Sequence, residues 1–372
     1  MEKEIGRGAW GVGRGENSSL RPTPHAPRPI LDLSVIFCYV FLIMRSARVR
    51  SPGHPDRACD IIVESVIDEY ARRDPTASLR LHACGGRGAL FIAGVASSNA
   101  DFDVGSVVTR TAASLGVRGH IEPFISIEPV AGAFLLEATR TSQPISVFGY
   151  ATRETEERIP SYVLLAKCCA KRLEDLRQYD SAWYWLEPSF EVSVTEMSNG
   201  TEVFVSCVHG EEDSVEVRNR VRDALGPIVF GARVHVNEKG PIRTGGLDAD
   251  IGASGTPDEP YGNLLPLPSM PIGCDPSNPQ KFGTWLARGL ARKALERSEA
   301  KAIFVQATYL PGDRVPTILR VRDERGKNLV QDGDAECMSY AFLRERLRPA
   351  ICTNAAHWGF VGEVELPWEG EE

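Results

Sequence analysis

The chain has 372 residues, of which 42% are hydrophobic and 25% charged, with a net charge of −8 and a pI near 5.6. That length allows two or three domains with sizeable cores, and the acidic balance excludes the broad basic field of a dedicated nucleic-acid binder. Only eight of the 42 basic residues are lysines, so an arginine standing for a lysine carries little information here. The nine cysteines are odd in number and scattered, and Cys168 and Cys169 are adjacent. This is the pattern of reduced thiols in a cytoplasmic protein rather than of a disulfide framework.

Residues 1–46 differ from the rest: Gly- and Arg-rich, then "RPTPHAPRP", then the apolar run "LSVIFCYVFLIM" at Leu33–Met44. About twelve residues fall short of the ~17–25 of a membrane span, and "RSARVRSPGHPD" is a poor signal-peptide cleavage site. An extension outside the fold is expected, with a signal anchor as the alternative. Next, "DIIVESVIDEYARR" places Ile62, Val63, Val66, Ile67 and Tyr70 on one helical stripe, ended by Asp74-Pro75. "SLRLHACG" and "GALFIAGVAS" read as strands turning at Gly85, Gly86 and Gly88, followed by an amphipathic helix in "DVGSVVTRTAASLGV" and a strand in "IEPFISIEPV". The unit recurs. The helix "SYVLLAKCCAKRLEDLRQY" precedes strands "FEVSVTE" and "TEVFVSCVH", and the helix "VEVRNRVRDALGPIV" precedes "ARVHVNE". Finally, the helix "KFGTWLARGLARKALERS" precedes "AIFVQATYL" and "TILRVRDE", with one more helix in "AFLRERLRPAI". Threefold alternation of helices with antiparallel-looking strand pairs implies a layered α+β protein, and no strand-following Gly-x-Gly-x-x-Gly or Walker A loop is present.

The stretch "SPGHPDRACD" at Ser51–Asp60 has two readings. His54, Asp56 and Arg57 at a helix start are a phosphate-and-metal grip: a carboxylate for Mg²⁺, an imidazole and a guanidinium for phosphate oxygens, and a helix dipole behind them. Alternatively, residues 53–56 are a plain turn with Asp56 capping the helix.

"GHPDRACD" resembles the Gly-His-Pro-Asp-Lys signature of the S-adenosylmethionine synthetase family. "FGYATRET" at 148–155, "HVNEKGPIRTGGLDADIGASG" at 235–255, "DPSNPQKFGTWLAR" at 275–288 and "AAHWGFVGEVELPWE" at 355–369 resemble further family blocks in family order. The resemblance implies three similar α+β subdomains of mixed or antiparallel sheet about a pseudo-threefold axis, here 47–135, 136–237 and 238–369, and a homodimer with active sites between subunits. It implies attack of methionine sulfur on C5′ of ATP, then hydrolysis of the released tripolyphosphate to phosphate and pyrophosphate. It implies Mg²⁺, and K⁺ as a further family cation, although no residues for a monovalent ion are recognisable. Carried over position by position, His54 and Arg57 are catalytic and phosphate-binding, Asp56 holds metal, and Asp250, Asp275 and Ser277 meet ATP or substrate.

The departures are many. Gly255-Thr256-Pro257 lack two family cations, Cys274 and Asn278 stand for lysines, and Gln280 stands for a metal-binding aspartate. Ser189 and Glu191 stand for an aspartate and the catalytic lysine, Gln143 for a carboxylate and Val95 for a glutamate, and the gating loop cannot be placed between Phe124 and Phe148. Each lost charge-assisted contact removes about 2–4 kcal/mol of transition-state stabilisation, so surrogate cations are required; Lys281, Arg288 and Arg243 are the candidates. Catalysis is expected to need at least one of Arg57, Lys281, Arg288 and Arg243 in one pocket with Asp56 and Asp250. Otherwise a different acceptor, or a non-catalytic nucleotide-binding or regulatory subunit, becomes the alternative. His82, His120 and His209 lack metal-ligand spacing. For Trp183 and Trp185 a core or interface role is favoured over adenine stacking, and Cys274 has no base beside it to make it a nucleophile.

Overall fold

The computed structural model describes residues 44–131, 143–265, 267 and 270–370. The expectations for the apolar run before Met44 lie outside these residues, as do residues 132–142 of the stretch sought for a gating loop. Three sheets organise the chain. The first contains strands β2 (Ser78–Gly86), β3 (Ala89–Ser97) and β4 (Glu122–Pro129), the second β6 (Phe190–Met197), β7 (Gly200–Cys207) and β8 (Arg233–Val236), and the third β10 (Ala302–Tyr309) and β11 (Ile318–Asp323). Each begins with an antiparallel hairpin, and β4 and β8 add in parallel to β3 and β7.

Each sheet is completed by a strand from elsewhere in the chain. β1 (Arg45–Arg50) pairs antiparallel with β6, β5 (Ile145–Thr152) with β10, and the two-residue β9 (Gly252–Ala253) with β2. β1 thus starts inside the stretch expected to be an extension. It offers only Ala47 and Val49 to the core among arginines, too little alternation to read as a strand. Its outer edge is covered at Met44–Ser46 by Asn263, whose side chain accepts from Ser46 N at 3.0 Å and donates to Met44 O at 2.6 Å.

Helices back the sheets. α1 (Pro55–Arg73) packs on β2 and on α2 (Val104–Ser114), and α3 (Ser161–Tyr179) covers β1 and β6 and meets α4 (Ser214–Val229). α5 (Pro279–Glu296) covers β5 and β10. The expected α1 stripe is buried, and Pro55 at the first position, Asp56 in the first turn and Arg72 and Arg73 in the last suit the helix dipole. The N-cap is His54, without a side-chain cap bond, so Asp56 is not the cap of the plain-turn reading.

"AFLRERLRPAI" is not one helix. After a four-residue turn α6 (Asp334–Cys337), it forms α7 (Tyr340–Arg344), and the chain re-enters a helix only at α8 (Ile351–His357). Pro349 disfavours helical geometry at Arg348 and lacks an N–H, and Ala350 takes a left-handed φ of 57°.

Close packing of α5 on β5 depends on Gly149 of the "FGYAT" block, where a Cβ would lie 2.1 Å from Ala287 O. Gly149→Ala is therefore expected to force helix and strand apart and lower stability by about 1–3 kcal/mol or more, read as the midpoint of urea unfolding.

Candidate functional site

The turn between β1 and α1 is clamped from two sides. Ser51 N donates to Phe190 O and Phe190 N to Ser51 Oγ, each at 2.9 Å, while Ser51 Oγ donates to Pro188 O at 2.8 Å. Gly53 lies against Pro188 with no room for a Cβ. On the other side β9 presses on the first turn of α1, where a Cβ on Gly252 would be 2.1 Å from Pro55 O. Ala253 N then donates to Asp56 Oδ1 at 3.1 Å and Gly255 N to Asp60 Oδ1 at 2.7 Å. Three blocks remote in sequence, 51–60, 188–191 and 250–258, thus converge on one place.

Charge is dense there. Arg50 is 5% exposed, with Nη2 3.8 Å from Asp56 Oδ2 and Nε 3.8 Å from Glu191 Oε2, and Arg48 reaches Glu191 at the same distance. These contacts are too long to be hydrogen bonds. Burial, helped by the Arg50 guanidinium, pushes the His54 pKa down to about 4, so the imidazole is neutral near pH 7. His54 Nδ1 and the Nε atoms of Arg48, Arg50 and Arg57 are buried and find no hydrogen-bond partner among the described residues. Buried polar atoms are almost always satisfied, so the orphans of His54, Arg48 and Arg50 beside this turn mark a place built to receive acceptors.

Across the 253–255 loop lies a cavity of about 360 Å³. Ser254 and Gly255 form one wall, Arg80 and His82 of β2 a second, and Cys274, Asn278 and Gln280 at the start of α5 a third; Gln143 also lines it. The positions that the resemblance expects to be charged, 143, 274, 278 and 280, therefore do meet, but as neutral side chains. Asn278 caps α5 by accepting from Gln280 N at 2.9 Å, and Gln280 Nε2 donates to Met270 O at 2.7 Å. Burial pushes the Cys274 thiol up to about 12, which rules out a ready thiolate nucleophile.

The other expected site residues divide sharply. Asp250 is exposed three residues before Ala253, its Oδ1 accepting from Ile251 N at 2.8 Å, and remains open to a ligand. Arg57 was expected to face phosphate. It is instead 3% exposed and bound to Asp258 and to Ala356 O, holding the 258 loop and α8 onto α1.

Asp275 and Ser277 form a bracket: Asp275 accepts from Leu79 N at 2.8 Å and from the Ser277 amide at 2.9 Å, tying β2 to the start of α5. Lys281 is fully buried against Glu64, 5.6 Å over the Trp285 ring. Arg288 is fully buried, and all five of its N–H groups are used by Glu369 and the carbonyls of Tyr150, Glu157 and Arg158. Arg243 sits on the surface with Glu211 and Gly210 O. Lys281, Arg288 and Arg243 therefore do not converge with Asp56 and Asp250: the two buried cations take their partners from the core around them, and Arg243 is held at the surface by Glu211.

Trp183 and Trp185 are buried with ring centroids 5.0 Å apart, as a core role requires. Sequence reasoning missed Arg48 and Arg50, whose spacing of two in "RVR" was the available signal that both lie on one strand face.

Asp56 is one partly exposed carboxylate with lone pairs to spare, and no three His, Cys, Asp or Glu among the described residues gather around a metal position. This suits a Mg²⁺ held mainly by a ligand's phosphates and touched by one carboxylate; it does not suit one held by protein alone.

Residues 42–129 match the family model described as S-adenosylmethionine synthetase, N-terminal domain. Over 85% of its length the chain is 27% identical to the S-adenosylmethionine synthase of Sorangium cellulosum, covering 85% of that protein. Over 86% of its length it is 26% identical to that of Deinococcus radiodurans, covering 93% of it. In three dimensions it superposes on an unusual S-adenosylmethionine synthetase from Campylobacter jejuni with a TM-score of 0.74 at 20% identity, covering 88% of this chain and 97% of that one.

Two outcomes follow from these positions. Among the described residues, Arg288→Met leaves buried Glu369 with the Arg292 ion pair alone and should destabilise by about 3–5 kcal/mol in chemical denaturation, whatever ligand is present. Burial raises the Asp60 pKa from 3.8 to about 7, so the folded chain binds a proton there that the unfolded chain has released. That contribution is complete below pH 3.8 and lost as pH rises through about 7. Asp60→Asn should therefore flatten the fall in stability across this window, measured by thermal melts at stepped pH.

Proposed function

We propose that this chain, a divergent relative of the S-adenosylmethionine synthetases, binds a nucleoside triphosphate at the turn between β1 and α1 and transfers the adenosyl group of ATP to methionine sulfur. The observation that carries this reading is the convergence of three family-like blocks on His54 and Asp56, with buried nitrogens of His54, Arg48 and Arg50 awaiting acceptors. A triphosphate supplies many anionic oxygens to such a cluster. His54, neutral when the site is empty, would gain proton affinity as the polyanion arrives and so strengthen its donation to a phosphate oxygen. Asp56, oriented by the Ala253 amide, and Asp250 complete the substrate-facing set. Mg²⁺ bound with the nucleotide supplies charge neutralisation for the departing tripolyphosphate.

Assembly as a homodimer is part of the proposal. The strand faces turned away from the helices carry exposed aromatic residues, among them the stacked pair Phe91 and Phe124 (centroids 4.9 Å apart) and Phe204 against His235. A sheet face of this kind is a natural seat for a second copy. A cytoplasmic location accords with eight described cysteines that are all free. No helix among the described residues is long and apolar enough to cross a membrane.

A second reading is favoured by the internal commitment of Lys281 and Arg288: a nucleotide-binding subunit without turnover. Incubation with ATP, Mg²⁺ and methionine, reading S-adenosylmethionine, pyrophosphate and phosphate, separates the two. Product formation lost at least 100-fold in Asp56→Asn is the expected result; ATP binding with no product selects the second reading.

A further inference from the structure

We infer that Arg50 and Arg80 are the cations that take the polyphosphate chain in this protein, each standing directly across a β-ladder from a position where a lysine is missing. This rests on the polyphosphate ligand proposed above. Arg50 of β1 lies opposite Glu191 of β6. Arg80 of β2 lies opposite Cys274 in an antiparallel bridge, flanked by Leu81 N donating to Gly273 O at 2.6 Å and Asp275 N to Leu79 O at 3.3 Å. Residues directly opposite in an antiparallel pair share one face, with Cβ atoms about 4.5–5.5 Å apart. An arginine on one strand therefore reaches the space that a side chain on its partner would fill.

Both guanidinium groups have donors to give. Arg50 is buried, yet its Nε has no hydrogen-bond partner and its nearest carboxylate oxygens are 3.8 Å away. The Arg80 side chain makes no hydrogen bond or ion pair among the described residues and faces the cavity of about 360 Å³ beside His82, two residues along the same strand face. The 18-residue helix α5 begins at that cavity and directs its positive end toward it. Arg57, Lys281 and Arg288, by contrast, spend their charge on buried carboxylates. A guanidinium can grip phosphate oxygens in pairs, and Glu191, whose pKa burial raises, opposes an anion beside Arg50 less than a surface glutamate would.

The test is calorimetric titration of the full chain with inorganic tripolyphosphate and with ATP plus Mg²⁺. Arg50→Met and Arg80→Met are each expected to weaken tripolyphosphate binding roughly 10- to 100-fold. The paired exchanges Arg50→Val with Glu191→Lys, and Arg80→Ala with Cys274→Lys, are expected to restore it by returning the cation to the opposite strand. Thermal melts identify any variant that fails to fold, and Arg80, being exposed, carries the test if Arg50→Met does. Binding by the unaltered chain that both single variants retain in full would overturn the inference while leaving the proposed function standing. No binding by the unaltered chain would overturn both.

Discussion

The pairing of β1 with β6 is the contact on which the site hangs. It joins Arg45–Arg50 to a strand almost 150 positions away. Because β1 runs directly into the Ser51–Asp56 turn, its register decides where His54 and Asp56 lie. Ser51 locks that register by exchanging hydrogen bonds with Pro188 and Phe190, and Ala47 and Val49 hold it through burial in the core. A slip of one residue would turn both apolar side chains, and with them Arg48 and Arg50, to the opposite face. The same economy governs β9, two residues long, whose docking on α1 brings backbone amides to Asp56 and Asp60.

A second constraint is the allocation of positive charge. Where a cation is surrounded by protein it must be paired, and the structure gives Lys281 to Glu64, Arg288 to Glu369 and Arg57 to Asp258. Such pairs contribute little net stability, since desolvation offsets most of the attraction, but breaking one leaves an uncompensated buried charge. They fix how α1, α5 and the chain end fit together. Arg48, Arg50 and Arg80, on strands facing the turn and the cavity, keep donors unpaired among the described residues. Family-like motif blocks can therefore persist while their lysines do not, because the pocket's charge is a property of a face, to which two strands contribute.

Much of the architecture was legible in the sequence. Helices α1 to α5 and the hairpins β2–β3, β6–β7 and β10–β11 follow hydrophobic periodicity closely, since each has one face on a core. What escaped was local in each instance. β1 has too few apolar residues to show a pattern, β5 was quoted as a motif and not read as a strand, and the last helix broke at Pro349 and Ala350. For the site, the motif blocks named His54, Asp56 and Asp250 at positions the structure brings near one another. They also named Lys281 and Arg288, because a lysine or arginine near a motif reads the same whether it points into a cavity or into the core.

Residue identity and local spacing alone carry the resemblance to known motif blocks, the three helix-backed hairpins and the neutral side chains at positions 143, 274, 278 and 280. Which strand completes each sheet, the meeting of positions 143, 274, 278 and 280 in one cavity, and the division of cations into buried and open ones emerge with the folded chain. The reason is physical. Periodicity records whether a residue faces a core, but the partner of a strand and the neighbours of a charge are set by contacts between segments far apart in the chain. A one-dimensional pattern holds no record of those distances.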